Sequence, residues 1–273
     1  MITGEVIAIV NQKGGVGKST TASALAAGLT IKGAKVLAID LDSQANLTYT
    51  FGAGTGGATA LGVITGEVKA GEAIQHTPSG DIIPASKALA GADAFITDTG
   101  KEYRLKEALE GLQTHYDYII LDTPPALGIL TINALTACNS VIIPAQADIY
   151  SLQGIEQLSE TIKPVRKYCN PELVIEGILL TRYSPRSVLS RDIAELAEQL
   201  ARKIGTKVFK TTIREAIAIR EAQISQKTIF EYAPRAKVAE DYMRFIDELL
   251  EGETERSTKE WLRTLKTTPH CNS

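Results

Sequence analysis

The 273-residue sequence contains little of what marks an exported, membrane-spanning or metal-binding protein. Its three cysteines, Cys138, Cys169 and Cys271, lie far apart and lack the C-x-x-C spacing that metal and redox sites favour. No run of about 18 apolar residues occurs, which excludes a membrane-spanning helix. The first residues lack the basic start and apolar core of a signal peptide. We therefore expect a cytoplasmic protein with unpaired thiols.

Net positive charge is also absent from the chain as a whole. The formal charge of −3 argues against strong general affinity for nucleic acid. However, residues 161–238 carry 15 Lys and Arg against 8 Asp and Glu, a net charge of +7. Any surface that binds a polyanion is therefore expected in this segment.

Apolar runs of strand length alternate with helical patterns along most of the chain. The predicted strands are Glu5–Val10, Lys35–Leu41, Asp117–Leu121, Ser140–Pro144, Val174–Leu180 and Lys207–Thr212. Helical patterns separate most of them, at Ser19–Leu29, Arg104–Leu112 and Ser190–Lys203. This alternation predicts one α/β domain, with a mostly parallel sheet, helices on both faces and ligands at the carboxyl ends of the strands.

The domain is expected to span residues 1–250. Beyond it the chain turns polar, and residues 251–273 are predicted to form a tail, with a possible short helix at Ser257–Lys266. Gly52–Gly66 is rich in Gly, Ala and Thr, which predicts a loop after the second strand.

The strongest motif is K-G-G-V-G-K-S-T, between the first predicted strand and the first predicted helix. Glycines allow backbone N–H groups to converge on phosphates, and the following helix adds its positive N-terminal end. Lys18 is expected to contact the β- and γ-phosphates of ATP, and the Ser19 hydroxyl to ligate Mg²⁺. The motif predicts a P-loop fold whose nucleotide-binding residues are Lys13, Gly14, Gly15, Val16, Gly17, Lys18, Ser19 and Thr20.

This loop differs in two respects from the general P-loop pattern G-x-x-x-x-G-K-[ST]. Gln12 stands at the first glycine of the pattern, and Lys13 adds a second lysine. In both respects the loop resembles the deviant Walker A loop of the ParA/MinD family of ATPases. The resemblance implies that Lys13 reaches across a dimer to the partner's nucleotide, where it stabilises developing charge as an arginine finger does.

Acidic residues follow two of the predicted strands. Asp40–Asn46 reads D-L-D-S-Q-A-N and resembles the D-L-D-P-Q-G-N segment of partition-type ParA proteins, from which Ser43 and Ala45 depart. By its position in that segment, Asp42 is expected to orient the attacking water or accept a proton from it, and to contribute to the metal site. Asp122 begins D-T-P-P-A-L-G after a Walker B-like strand and is expected to bind Mg²⁺, while the residues after it sense the γ-phosphate.

The resemblance continues through Ile143–Gln157 and Glu221–Tyr242, and so covers about residues 5–250. It implies an ATP hydrolase that forms a homodimer with ATP and Mg²⁺, binds double-stranded DNA without sequence preference and is stimulated by a ParB-type centromere-binding protein. Such a protein segregates plasmid or chromosomal DNA and resides in the cytoplasm on the nucleoid. The catalytic residues that it implies are Lys13, Lys18 and Asp42.

The family's DNA contacts do not transfer residue by residue. Many chromosomal members read I-P-R-N-V-R-L-S-E-A where this chain reads I-R-E-A-I-A-I-R-E-A from Ile213 to Ala222, so the inner arginine falls on Ala218. Two weak patches on a dimer bind DNA better than one, because they engage together. From the positive segment we predict these DNA contacts: Lys207, Lys210, Arg214 and Arg220.

Two other functions stay open from the sequence. A MinD-like membrane-surface switch needs a basic amphipathic helix, but Ser257–Lys266 has only Trp261, Leu262 and Leu265 as apolar anchors, so no stable membrane association is expected. A reductase component like the nitrogenase iron protein needs cysteines that hold an iron–sulfur cluster at the dimer interface. Only Cys138 lies near the switch segment.

Overall fold

A seven-stranded sheet forms the centre of the protein, as seen in a computed structural model that describes residues 4–267, with side chains through residue 254. The strand order is β3-β4-β2-β5-β1-β6-β7. The strands are β1 Glu5–Ile9, β2 Val36–Asp40, β3 Gln75–Thr77, β4 Gly80–Ile83, β5 Tyr118–Asp122, β6 Ser140–Gln146 and β7 Val174–Thr181. β3 pairs antiparallel with β4, and the other described pairings are parallel.

Helices connect the strands and cover both faces of the sheet, which confirms the predicted α/β fold. The larger ones are α1 Lys18–Ile31, α6 Ile129–Ala137, α7 Ile149–Tyr168, α8 Val188–Ile204, α9 Ile217–Ile224 and α11 Lys237–Thr267. The short ones are α2 Asn46–Thr50, α3 Ala60–Thr65, α4 Ala92–Phe95, α5 Arg104–Leu109 and α10 Ile229–Tyr232. Within the described part of the chain, no helix is long and apolar enough to cross a membrane.

The central strand β1 shows how the sequence produces two cores. Successive side chains of a strand point to opposite faces of the sheet. Val6 and Ala8 therefore join a core with α3 and α5 to α8, whereas Ile7 and Ile9 join a second core with α1, α2 and α9 to α11. All four residues are fully buried, as a parallel strand with helices on both sides requires.

The predicted strand at Lys207–Thr212 is wrong. The segment runs beside β7 but makes only isolated bridges, including one between Ile178 and Val208. Its backbone N–H groups at Lys210 and Thr211 donate instead to the carboxylate of Glu248 on α11, at 2.7 and 2.9 Å. The Glu248 side chain thus accepts hydrogen bonds from two backbone N–H groups that a further strand would have used for pairing.

Two other segments contain more helix than the sequence indicated. The predicted loop at Gly52–Gly66 contains α3. The backbone of α11 is helical across residue 250 and through the region of the suggested helix Ser257–Lys266, whose side chains lie outside the described part. The division into a domain and a tail at residue 250 stays a prediction.

Helices α1 and α11 pack closely because Gly28 has no side chain. A Cβ atom at this position would lie 2.2 Å from Cδ1 of Ile246 and 3.2 Å from the ring of Phe230. Ile246 is fully buried and has little room to move away. Gly28 therefore sets the distance between the two helices.

We expect Gly28→Ala to lower the free energy of unfolding by about 1–2 kcal/mol, because the clash outweighs the gain in helix propensity. Ile246→Val removes the clashing Cδ1 atom and alone should cost about 1 kcal/mol. In the Gly28→Ala background that cost should disappear, giving a coupling of about 1 kcal/mol in urea unfolding. Gly111→Ala, where a Cβ meets nothing within 4 Å, is the control. If the effects of Gly28→Ala and Ile246→Val on the free energy of unfolding were additive, the predicted clash between the two positions would be wrong.

Candidate active site

The phosphate loop connects β1 to α1 at the carboxyl edge of the sheet. Gly15 and Gly17 have φ values of +77° and +91°, in the left-handed region that favours glycine. Gly17 directly precedes α1, and no described side chain caps that helix. The first N–H groups of α1 are therefore available to an anion.

A buried amide anchors the start of this loop. Asn11 is fully buried, and its Nδ2 donates to the carbonyl oxygen of Pro144 in β6 at 2.7 Å. Its Oδ1 accepts a hydrogen bond from the backbone N–H of Lys13 at 2.9 Å. The loop thus leaves β1 in a direction set by the neighbouring strand.

Lys18 is a buried cation at the first turn of α1. It is 7% exposed, and its Nζ donates to the carbonyl oxygen of Lys13 at 3.3 Å. Burial lowers the pKa of Lys18, and the negative charges of Asp122 and Asp42 act in the opposite direction. An anionic phosphate beside Lys18 would strengthen its charged form.

Asp122 presents a buried carboxylate to the same space. It ends β5, next to Ile9 of β1 and Asp40 of β2 in the sheet register. Neither carboxylate oxygen has a hydrogen-bond partner by geometry among the described residues. Burial and the negative charge of Asp40 raise the pKa of Asp122 well above its ordinary value. The Ser19 hydroxyl and the positive charge of Lys18 act in the opposite direction but do not outweigh them.

These groups fit a magnesium ion held largely by phosphate. Mg²⁺ commonly uses one or two carboxylates, waters and substrate phosphates rather than an all-protein cage. The described residues contain no group of three or more His, Cys, Asp or Glu that could hold a metal by themselves. The unpartnered carboxylate of Asp122 and the nearby Ser19 hydroxyl supply the donors that such an ion needs.

Asp40 holds the segment after β2 in place. Its carboxylate accepts hydrogen bonds from the backbone N–H of Asp42 at 3.0 Å, and from the N–H and hydroxyl of Thr48 at 2.8 Å each. Burial raises the pKa of Asp40 to about 6 in spite of these bonds. Asp40 therefore fixes the backbone at Asp42, in addition to acting on Asp122 through its charge.

Asp42 lies at the turn into α2. It is 7% exposed, and its Oδ1 accepts a hydrogen bond from the N–H of Gln44 at 3.0 Å. Ala45, where the partition-type segment has glycine, has φ +53°. The turn thus keeps the left-handed conformation, although alanine adopts it at a cost of about 1 kcal/mol.

Lys13 forms an ion pair within its own chain. Its Nζ lies 2.6 Å from Oδ2 of Asp148 and 5.8 Å from the ring centroid of Tyr150. Asp148 also caps α7 by accepting a hydrogen bond from the N–H of Ser151 at 2.9 Å. Burial acts to raise the pKa of Asp148, but the bonds from Lys13 and Ser151 outweigh it and hold this pKa below its ordinary value.

Sequence reasoning missed several residues that contact the phosphate loop, among them Asn11, Asp148, Gln146 and Thr181. Asp148 carries a usable signal, since an aspartate before a helical pattern indicates an N-cap. Its pairing with Lys13, 135 positions away, has no local signal. Gln146 and Thr181 are the last residues of their strands, and Gln146 also lies in the family-like segment Ile143–Gln157.

The four residues predicted to contact DNA differ in the ion pairs that their side chains form within the chain. Lys207 pairs with the buried carboxylate of Glu176 at 3.4 Å, and Arg220 pairs loosely with Glu215 at 3.9 Å. Lys210 is exposed and has no ion pair with a described residue.

Arg214 is bound to Asp241 through two guanidinium nitrogens, one of them at 2.8 Å. Arg244 pairs with the same carboxylate. Burial acts to raise the pKa of Asp241, but hydrogen bonds from Arg214 and Arg244 hold it below its ordinary value. These residues and Lys210 line a surface groove of about 370 Å³.

The described cysteines do not fit an iron–sulfur cluster at this site. Cys138 and Cys169 precede the amino ends of β6 and β7, at the sheet edge opposite the phosphate loop. Cys138 is buried, and burial raises the pKa of its thiol. Cys271 lies outside the described residues.

Two protein-family models match the chain. The first, described as an AAA domain, covers residues 4–175. The second, described as 4Fe-4S iron sulfur cluster binding proteins of the NifH/frxC family, covers residues 105–263. The chain belongs to the P-loop group that these families represent, and its two described cysteines, Cys138 and Cys169, lie away from the phosphate loop.

Individual relatives are more specific. The chain is 41% identical to the sporulation initiation inhibitor protein Soj of Bacillus subtilis, covering 90% of this chain and 98% of Soj. It is 37% identical to the chromosome partitioning protein ParA of Caulobacter vibrioides, covering 93% and 97%. A crystal structure of cobyrinic acid a,c-diamide synthase from Mycobacterium smegmatis, with bound ATP analogue and magnesium, has 34% identity, coverage of 92% and 96%, and a TM-score of 0.80. By its sequence, its sheet and its phosphate loop, the chain belongs to the Soj/ParA family of partition ATPases and is a P-loop ATP hydrolase.

Proposed function

We propose that this protein is a partition ATPase which dimerises with ATP and Mg²⁺, binds double-stranded DNA non-specifically as that dimer and releases it after hydrolysis. The observation that carries the proposal is the presence of two differently placed lysines on one phosphate loop. Lys18 is buried beside the carboxylates, whereas Lys13 lies nearer the surface in an ion pair. Relatives named for chromosome partitioning support this reading.

Each site residue has a defined role in ATP hydrolysis. Residues Gly14 to Thr20 direct N–H groups at the phosphates, and Lys18 neutralises charge on the β- and γ-phosphates. Ser19 and Asp122 would hold Mg²⁺, with Asp42 at the edge of the same site. When bound, the ion would supply positive charge that stabilises negative charge developing on the phosphate oxygens. Asp42 orients the attacking water, since phosphoryl transfer depends mainly on positioning and electrostatics.

Lys13 acts on the partner's nucleotide in this proposal. Its side chain is 28% exposed, and Asp148 holds it beside its own loop. In the dimer, Lys13 would exchange its ion pair with the Asp148 carboxylate for contacts with the triphosphate of the partner's ATP. The nucleotide therefore links the two chains, and its hydrolysis removes the link.

The positive surface near the groove provides the DNA contacts. Lys210 is the strongest of the four predicted residues, because its exposed side chain makes no ion pair with a described residue. Arg214 and Arg244 share the single carboxylate of Asp241, so two guanidinium groups line the groove against one acidic partner. We propose that the protein works in the cytoplasm on the nucleoid, and that a ParB-type partner stimulates hydrolysis to move plasmid or chromosomal DNA.

The first test measures co-sedimentation with non-specific duplex DNA in ATP, ADP and no nucleotide. Wild type should bind only with ATP, Lys18→Ala should fail, and Asp42→Ala should stay bound because it does not hydrolyse ATP. Lys106→Ala changes an exposed lysine on α5, outside the positive segment, and as the matched control should behave as wild type. DNA binding that is indifferent to nucleotide would reject the proposal.

The trans role of Lys13 can be tested by mixing variants. Lys13→Ala and Asp42→Ala should each be inactive, but their heterodimer contains one complete site. An equal mixture should recover about a quarter of the wild-type ATPase rate, from random pairing of symmetric dimers. A second mixture, in which Lys13→Ala meets the double variant Lys13→Ala/Asp42→Ala, supplies no Lys13 and should stay inactive. No recovery in the first mixture would mean that Lys13 acts in cis.

Two lysines three positions apart give a matched test of the DNA surface. Lys210→Ala should weaken ATP-dependent DNA binding and reduce the slope of log K against log salt by about 1–2, for one phosphate contact per protomer. Lys207→Ala should change the slope less, because Glu176 already neutralises Lys207. Equal slopes for wild type and Lys210→Ala would remove Lys210 from the interface.

A further inference from the structure

Two side chains from neighbouring strands reach the outer side of the phosphate loop. The Gln146 amide donates from Nε2 to the carbonyl oxygen of Gly15 at 2.9 Å. The Thr181 hydroxyl donates to the carbonyl oxygen of Val16 at 2.8 Å. Gln146 and Thr181 are register partners at the carboxyl ends of β6 and β7. The sheet thus supplies two adjacent donors to two consecutive loop carbonyls.

This arrangement follows from what a phosphate loop must do. When successive N–H groups converge on an anion, the carbonyl groups between them point outward, toward the protein. An outward carbonyl that is buried needs a donor, or its lost hydration costs about 1–3 kcal/mol. Val16 is 1% exposed, so water does not readily replace the bond from Thr181.

The two donors are not equivalent. The bond from Gln146 is exposed, so water can substitute for it. Thr181 is 3% exposed, and its backbone is held on both sides, by β6 and by a bridge to Ile213. A β-branched side chain on a fixed backbone has few rotamers, so its hydroxyl stays aimed at the loop.

We propose that Thr181 is a positioning residue for nucleotide binding: its hydroxyl holds the Val16 carbonyl outward and so keeps the adjacent N–H groups aimed at the phosphates. The inference rests on the ATP-binding part of the proposed function and is independent of DNA and of the trans role of Lys13. Without the hydroxyl, the loop samples conformations in which its N–H groups diverge, and the nucleotide must restore the binding conformation.

The test is a fluorescence titration of a fluorescent ADP analogue with Mg²⁺, performed on the full chain. Thr181→Val keeps the shape of the side chain and removes the donor, and should weaken binding about tenfold. Thr181→Ser keeps the hydroxyl and should remain within about threefold of wild type. Thr206→Val is the matched control, because Thr206 makes the same kind of bond, to the Ile175 carbonyl at 2.7 Å, at the opposite end of β7. It should lose stability in urea but not affinity.

Four results would overturn the inference. The first is wild-type affinity in Thr181→Val. The second is equal weakening in the Ser and Val variants, which would show that affinity does not follow the presence of the hydroxyl. If Thr181→Val does not fold, Thr181→Ala can be compared with Thr181→Ser, since these two smaller side chains also differ only in the hydroxyl. Equal nucleotide affinities of these two variants would reject the positioning role of Thr181. Failure of wild type to bind the probe would overturn the proposed function and this inference together.

Discussion

Parallel pairing of β1 between β5 and β6 is the constraint on which the site depends. Because these strands run in one direction, the residues that follow them meet at one edge of the sheet. The pairing of Ile9 with Asp122 brings a carboxylate to the start of the phosphate loop, and the pairing of β2 with β5 adds Asp40. A slip of one residue would turn these side chains to the other face.

Burial of opposite charges is the main energetic cost of this edge. Lys18, Asp40, Asp42 and Asp122 are each at most 7% exposed. The Asp40 carboxylate accepts hydrogen bonds from described residues, whereas that of Asp122 has no hydrogen-bond partner by geometry among them. Buried charges without partners are unfavourable, and carboxylates so close together oppose one another's ionisation. A nucleotide with its cation would complete this set of charges, so the features that weaken the isolated chain favour ligand binding.

The sequence was sufficient where the signals are local. The glycine spacing, Lys13 and the apolar run of β1 identify the phosphate loop and its flanking elements, and the fold class follows from the strand and helix pattern. β3 and β4 were not predicted, since three or four residues are too few to show a period. Contacts between distant residues were also invisible, such as the bond from Thr181 to Val16, 165 positions away. Which distant residues meet in this way depends on the register of the strands, and the sequence does not show that register directly.

The Lys13–Asp148 ion pair has a kinetic meaning if Lys13 acts in trans as proposed. A chain whose lysine is held by its own carboxylate cannot engage a partner, so only the open fraction is competent to associate. A partly exposed pair of this kind contributes about 1 kcal/mol or less, which reduces the competent fraction by no more than about fivefold. The pair would therefore delay assembly only mildly and would form again once the chains separate.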